Sequence, residues 1–133
     1  MSFDVMIIDP ATVPTGSHGE FMEWYRAATS WSEDRDYGAP VGSAASIVAC
    51  YEELKVEFPS IDDLDWDEDE DEQEEANTEY VLGDDFVYIA FDWSEAEEAA
   101  SACVRVAHKH GLAFVDISGT TSILFPDGRV VGP

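Results

Sequence analysis

The chain has 133 residues, a length that fits one domain. Hydrophobic residues make up 45% and aromatic residues 12% of the sequence, which is enough apolar material to form a core and argues against global disorder. Thirty Asp and Glu residues stand against six Lys and Arg, so the formal net charge is −24. Such a charge repels phosphate backbones and anionic lipid and favours basic partners or cations. We therefore expect no direct binding of nucleic acid or membranes.

The N-terminal sequence and the cysteines bear on cellular location. The first five residues contain no basic stretch and lead into no long apolar run, so we predict no signal peptide. No segment approaches the ~20 apolar residues of a spanning helix. Cys50 and Cys103 fall within apolar helical patterns, which favours reduced core thiols over a disulfide or a redox pair. We predict a cytoplasmic protein.

The N-terminal part of the chain predicts a strand followed by a helix. The apolar run 3–8 is typical of a strand, and residues 9–10 (Asp-Pro) end it. A helix is expected to begin at Ser17, which forms a capping box with Glu20. Apolar residues then recur at helical spacing on one face: Phe21, Trp24, Tyr25 and Ala28.

A second helix and an acidic segment follow. The helix is predicted over residues 43–58, and Pro59 ends it. Its apolar stripe consists of Ile47, Tyr51, Leu54 and Phe58. Eleven of the fourteen residues from Asp62 to Glu75 are Asp or Glu, and like charges at this density repel one another. We predict a disordered acidic insert at about residues 59–77 within a single domain that spans residues 1–133.

The C-terminal half predicts strands joined by tight turns. Residues 78–91 read as a β-hairpin with a Gly-Asp-Asp turn. Residues 112–117 form a further predicted strand, and residues 122–131 a closing hairpin. Strands joined in this way pair mostly antiparallel. With about three helices covering one sheet face, the prediction is an α+β fold, a two-layer domain.

The last helix has its own start and stop signals. It is predicted to begin at Ser94, because Glu97 three residues later completes a second capping box. Trp93 precedes this cap and is expected to pack back onto the fold as part of a hydrophobic staple. Gly111 suits the position just past the last helical residue. The small residues of the helix allow close approach to a sheet: Ala96, Ala99, Ala100, Cys103, Val106 and Ala107.

Catalytic signals are weak throughout the sequence. It contains no HExxH, Walker loop, GxGxxG or GxSxG motif. His108 and His110 are two residues apart in a helical pattern, so they do not share a face and are poor joint metal ligands. Thiols inside helices are usually inert. We predict that the protein is not an enzyme and assign no catalytic residue, cofactor or metal ligand.

One pattern in the acidic segment leaves calcium binding open as an alternative. Five acids fall at positions 1, 3, 5, 9 and 12 of an EF-hand loop: Asp63, Asp65, Asp67, Asp71 and Glu74. Glu68 stands where that loop needs glycine at position 6. General solubility is a further account of the acidity, although the bunching of acids in one segment argues for an acidic surface on one side.

Two C-terminal segments resemble a family of small bacterial proteins. Residues 86–97 fit the pattern Y-x-x-F-x-W-S-x-A-E, and residues 106–118 contain A-x-K-H-G-x-x-F-x-D-x-S. Residues 24–37 also fit that family. Its members resemble immunity proteins encoded beside polymorphic or type VI secreted toxins. The resemblance implies an antitoxin that neutralises a cognate toxin by stoichiometric binding, and it brings no catalytic residues.

The acidic segment supplies the predicted partner contacts. Its acids are expected to steer the encounter with a toxin that presents a basic active site, and the indole of Trp66 is expected to anchor the complex. An acidic nucleic-acid mimic that inhibits a DNA-binding protein is the alternative function. The predicted partner-binding residues are Asp62, Asp63, Asp65, Trp66, Asp67, Glu68, Asp69, Glu70, Asp71 and Glu72.

Overall fold

The computed structural model describes residues 2–29, 44–58 and 78–132. In chain order the elements are β1 (Ser2–Ile8), α1 (His18–Ala28), α2 (Ala45–Glu57), β2 (Glu79–Leu82), β3 (Phe86–Asp92), a 3-10 turn (Trp93–Glu95), α3 (Ala96–Lys109), β4 (Ala113–Val115), β5 (Ile123–Leu124) and β6 (Val130–Val131). The predicted acidic insert at about residues 59–77 lies outside the described residues.

The strands form one six-stranded sheet in the order β2-β3-β1-β4-β5-β6, and every neighbouring pair is antiparallel. Strand β1 pairs with β3 over its whole length, from Ser2 opposite Asp92 to Ile8 opposite Phe86. Its other edge pairs with β4. Strands β3 and β4 therefore run parallel on either side of β1, and α3 carries the chain between them. A strand this central needs apolar side chains on both faces.

The two faces of the sheet carry separate apolar clusters. Successive side chains of a strand point to opposite faces. Val5 and Ile7 of β1 pack with residues of α2 and α3, and we call this side the first face. Met6 and Ile8 pack with Phe21 of α1 on the second face. The unbroken apolar run of β1 is thus explained by burial on both sides.

The predicted α+β class, with an antiparallel sheet and helices packed on it, is confirmed. The placement of the helices differs in one respect from the expectation that about three of them cover one face. Helices α2 and α3 share the first face, whereas α1 packs on the second. The physical reason is that Met6 and Ile8 are fully buried, so the second face also requires a cover.

Most predicted element boundaries agree with the structure. The hydroxyl of Ser17 accepts a hydrogen bond from the backbone N–H of Glu20 at 3.2 Å and caps α1. Strands β2 and β3 form the predicted hairpin, and β5 and β6 form the closing one. Gly111 follows the end of α3 with φ of +73°, a conformation that glycine adopts without the steric cost of a side chain.

The predicted start of the last helix is wrong. Ser94 does not cap it, and no side chain makes a capping hydrogen bond at its N-terminus. Asp92 Oδ1 accepts from the backbone N–H of Ser94 at 2.9 Å and from its hydroxyl at 2.7 Å. These bonds close a 3-10 turn ahead of α3, which begins at Ala96. An Asp two residues before a Ser is a known turn signal, and here it prevails over the capping box.

Candidate functional site

The partner contacts predicted from the sequence lie outside the described residues. This holds for all ten of them, Trp66 included, and for the EF-hand-like spacing between Asp63 and Glu74. The candidate surface that the structure does describe consists of other acids. Sixteen of the thirty Asp and Glu residues fall in the described ranges, against five of the six Lys and Arg. The described surface is therefore itself strongly acidic.

The outer surface of α2 and α3 holds several of these acids. Two ion pairs cross between the helices: Lys109 Nζ lies 2.6 Å from Glu53 Oε1, and Arg105 Nη2 lies 2.9 Å from Glu57 Oε2. The hydrogen bond from Lys109 holds the pKa of Glu53 below its usual value. These pairs are exposed to solvent, so they contribute little to the stability of the fold.

An open cleft lies where the end of α2 meets the first turns of α3. Its volume is about 340 Å³. Three carboxylates and one guanidinium contribute to its wall, and the guanidinium of Arg105 is already paired with Glu57. We call this feature the acidic cleft; it is lined by Glu57, Glu97, Glu98, Ser101, Ala102 and Arg105. A cleft of this composition suits a cationic side chain rather than an anion.

Trp93 lies in the 3-10 turn directly before α3. Its ring centroid lies 5.5 Å from that of Phe3, yet the residue remains 45% exposed. The turn that presents it is fixed by the bonds between Asp92 and Ser94. The expectation that Trp93 packs back onto the fold is therefore met on one side of the ring only, and the remaining part of the indole faces solvent.

Acidic residues lie near Trp93 in the sequence, at positions 92, 95 and 98. Partial burial, together with the negative charges of Asp92 and Glu98, raises the pKa of Glu95. Asp92 has its own pKa lowered by the hydrogen bonds from Ser94. We call residues Asp92, Trp93, Glu95 and Glu98, which lie in and beside the turn ahead of α3, the Trp93 surface; Glu98 also lines the acidic cleft.

A second polar cluster joins α1 to the sheet. The hydroxyl of Tyr88 donates to Asp4 Oδ2 at 2.5 Å. Burial, followed by the hydrogen bond to Asp4 and its charge, raises the pKa of Tyr88 far above the usual value. Burial also raises the pKa of Tyr25, which hydrogen-bonds with Tyr88. Both phenols stay protonated near neutral pH, so the cluster acts as a hydrogen-bonded anchor rather than as a nucleophile.

A third acidic group lies at the end of the sheet, in and near the turn between β2 and β3. The backbone N–H of Asp9 donates to the carbonyl of Asp85 at 2.9 Å, and the Thr12 hydroxyl donates to Asp85 Oδ2 at 3.2 Å. Burial raises the pKa of Asp85, and the charges of Asp84 and Asp9 act in the same direction. Within residues 2–29, 44–58 and 78–132, no group of three or more His, Cys, Asp or Glu side chains is arranged to hold a metal ion.

The histidines and cysteines have structural surroundings. His108 Nε2 lies 3.3 Å from the carbonyl oxygen of Leu124. His110 Nε2 lies 3.8 Å from Glu53 Oε1. The two rings therefore meet different partners, as their spacing predicted. Cys50 and Cys103 are free and buried, which confirms the prediction of core thiols. Burial raises the pKa of Cys50 to about 12 and that of Cys103 further still, so neither forms a thiolate readily.

Sequence analysis missed the Trp93 surface as a candidate site, because an apolar residue before a helix is more often core than surface. The signal for the turn was present in the Asp-x-Ser spacing at 92–94. The exposure of the indole depends on how much of the ring Phe3 covers. The local sequence does not specify this contact.

Comparison with known proteins adds no assignment: no protein-family model, curated protein or solved structure matches the chain. The resemblance to immunity proteins therefore stays a prediction from the motifs at residues 86–97 and 106–118. No helix in the described part of the chain is long and apolar enough to cross a membrane.

Proposed function

We propose that the protein is an immunity protein that neutralises a bacterial toxin by stoichiometric binding, with its acidic surface set against a basic active site. The observation that carries this proposal is the charge: a net −24 over 133 residues, with sixteen acids against five bases in the described ranges alone. A toxin that acts on nucleic acid or nucleotides must attract an anionic substrate, so its active site is electropositive and complementary to this surface.

Contacts of the fold support the acidic surface that the proposal requires. Acids on the outer surface of α2 and α3 are held in place by cross-helix ion pairs such as Lys109 to Glu53 and by the sheet beneath. A rigid acidic surface steers a basic partner, and such steering raises association rates to ~10⁸–10⁹ M⁻¹s⁻¹ at low salt. Fast association suits an inhibitor that must bind its toxin before damage occurs.

The first test is recovery of the partner from the native host. A tagged full-length chain is used for affinity capture at low salt, and the bound proteins are identified by mass spectrometry. We expect one partner encoded in the neighbouring gene, with a 1:1 complex by calorimetry and growth arrest when that partner is expressed alone. Recovery of general DNA-binding proteins in its place would overturn the toxin proposal and favour the nucleic-acid mimic. Absence of any partner from a lysate that contains the neighbouring gene product would also overturn it.

The electrostatic part of the proposal has a separate test. Asp67→Asn/Asp69→Asn removes two charges from the acidic segment, and Glu20→Gln/Glu23→Gln removes two from α1. Association with the purified toxin is measured by stopped flow over a range of salt concentrations. We expect the first variant to associate more slowly, with a flatter salt dependence, and the second to follow the unmodified protein. Equal rates for both variants would contradict steering by the acidic segment.

A further inference from the structure

We propose that the outer edge of β6 is a self-association surface, at which two copies of this chain join their sheets about a twofold axis. Val130 of β6 is the central residue of this surface, because its backbone groups meet those of Val130 in the second copy. The inference goes beyond the proposed function and does not rest on it, since the pairing needs no toxin.

Hydrogen bonding within the β5–β6 hairpin determines the direction of the Val130 backbone. The N–H of Phe125 donates to the carbonyl of Arg129 at 2.9 Å, so these two residues form a hydrogen-bonded pair. Bonded and non-bonded pairs alternate along an antiparallel ladder. The next pair, Leu124 opposite Val130, is therefore non-bonded, and the N–H and C=O of Val130 point outward from the sheet.

No strand lies beyond β6 in the part of the chain that the structure describes. An edge that presents outward N–H and C=O groups is a template for a further strand. Under a twofold axis, the donor and the acceptor of Val130 meet the acceptor and the donor of the same residue in the second copy. Both hydrogen bonds then form between one pair of residues, as in any hydrogen-bonded antiparallel pair. The edge is thus complementary to itself.

The side chain of Val130 supports the same pairing. Side chains alternate between the two faces along a strand. Val131 packs against the apolar cluster of the second face, so Val130 points to the first face, where it is 57% exposed beside the half-buried Leu124. Twofold pairing places the two Val130 side chains next to each other, with a Leu124 on either side, and removes apolar surface from water.

The hairpin fixes this edge before a second copy binds. Gly128 in its turn has φ of +92°, and the N–H of Gly128 donates to the carbonyl of Phe125 at 3.0 Å. Asp127 Oδ1 accepts from the backbone N–H of Arg129 at 2.9 Å. The guanidinium of Arg129 lies 4.1 Å from the centroid of the buried Phe125 ring, so this side chain folds back on its own hairpin. A preformed edge loses little conformational entropy on pairing.

Charge distinguishes this edge of the sheet from the opposite one. The β5–β6 hairpin, residues 123–131, contains one acid and one base, Asp127 and Arg129. Two copies of a chain with a net charge of −24 repel each other, and like charges that face each other oppose association. At the β6 edge, the pairing strands bring no excess of acids together. The β2–β3 hairpin, residues 79–92, contains no base and four acids: Glu79, Asp84, Asp85 and Asp92.

Self-association is tested by sedimentation equilibrium of the full-length chain up to millimolar concentration. The paired strands are short and bury little surface, so we expect a weak dimer. Salt at ~1 M shortens the Debye length to ~3 Å, from ~10 Å at ~0.1 M, and screens the repulsion between copies. We therefore expect the dimer fraction to rise with salt, whereas binding of a basic partner under the proposed function falls with it. A chain that stays monomeric at every salt concentration overturns the inference and leaves the proposed function standing.

Two lysine substitutions separate the β6 edge from a general effect of charge, and circular dichroism checks that each variant is folded. Val130→Lys sets two ammonium groups opposite each other, where like charges are destabilising, and is expected to weaken dimerisation at least about tenfold. Val56→Lys makes the same change of charge at an apolar residue of α2 that is 86% exposed, and is expected to leave dimerisation within about twofold. Val130→Thr keeps a β-branched residue and is expected to retain the dimer. Dimerisation unaffected by Val130→Lys, or equally weakened by Val56→Lys, overturns the inference.

Amide hydrogen exchange gives a readout that needs no variant. The Val130 N–H points outward, whereas the Val131 N–H faces β5, because Val131 and Ile123 form the next hydrogen-bonded pair. We expect exchange at Val130 to slow as the protein concentration rises at fixed salt, and exchange at Val131 to stay unchanged. Protection that develops in β2 in place of Val130 would show that the opposite edge pairs, and would overturn the inference.

Discussion

Replacement of Phe21 by alanine tests the packing of α1 on the second face of the sheet. Phe21 is fully buried and is the buried residue of α1; it packs in the cluster of Met6 and Ile8. An aromatic side chain buries at least about 150 Å², and about 25 cal/mol per Å² converts this area to ~4 kcal/mol. Measured Phe→Ala changes of about 3–5 kcal/mol in protein cores agree with this figure. Against a total stability of about 5–15 kcal/mol, this loss is large.

The free energy of unfolding is measured by urea titration with far-ultraviolet circular dichroism and tryptophan fluorescence. The ring of Trp24 lies 5.7 Å from that of Phe21 between centroids, so fluorescence also reports on this site. We expect Phe21→Ala to lower the free energy of unfolding by about 3–5 kcal/mol, and the exposed neighbour change Glu23→Ala to alter it by less than about 0.5 kcal/mol. A loss below about 1 kcal/mol for Phe21→Ala, with α1 intact, would refute the packing of α1 through this residue.

Three further predictions concern the turn, the ion pair and the thiols. Asp92→Ala is expected to lower the free energy of unfolding, measured by urea titration, because Ser94 loses its acceptor; Asp92→Asn keeps the acceptor and is the control. The pKa of Glu53 is lowered in the folded state, so its stabilisation is present above the unfolded value of about 4.3 and is lost as the pH falls through the folded pKa. Lys109→Gln is therefore expected to reduce the loss of stability between about pH 6 and about pH 3. Cys50 and Cys103 are expected to react with an aromatic disulfide reagent only when urea unfolds the chain, since both thiols are buried with raised pKa values.

Each of these predictions has an opposing result. An Asp92→Ala variant as stable as Asp92→Asn would show that the bonds to Ser94 do not hold the turn. An acid-side stability curve unchanged by Lys109→Gln would contradict the Glu53 ion pair. Rapid labelling of either cysteine in the folded protein would contradict the packing of α2 against α3.

The element boundaries show which features of the fold can be predicted from local sequence patterns. The cap at Ser17 and the glycine at position 111 depend on interactions within a few residues, and the structure agrees with both. The start of the last helix was misplaced because two local signals compete at Asp92 and Ser94. Asp92 accepts both hydrogen bonds from Ser94, so residues Trp93–Glu95 form a 3-10 turn and the helix begins only at Ala96.

The candidate site was less accessible to prediction than the elements. The net charge is a sum over the residues of the chain. The sequence was therefore enough to predict an acidic protein and, from that, a basic partner. The partial exposure of Trp93 depends instead on the turn ahead of α3 and on the contact of the ring with Phe3. That contact depends on the pairing of β1 with β3, whose paired residues lie 78 to 90 positions apart in the chain.

Local sequence patterns were enough to predict the α+β class, most elements and the charge, because periodicity, turn residues and composition do not depend on distant contacts. The tertiary structure alone decided the strand order, with β1 between β3 and β4, and the division of the helices between the two faces. Among residues 2–29, 44–58 and 78–132, it also decided that Trp93 remains partly exposed. Exposure is set by what packs against a side chain from distant parts of the chain, and the same Trp-Ser motif is compatible with a buried ring or an accessible one.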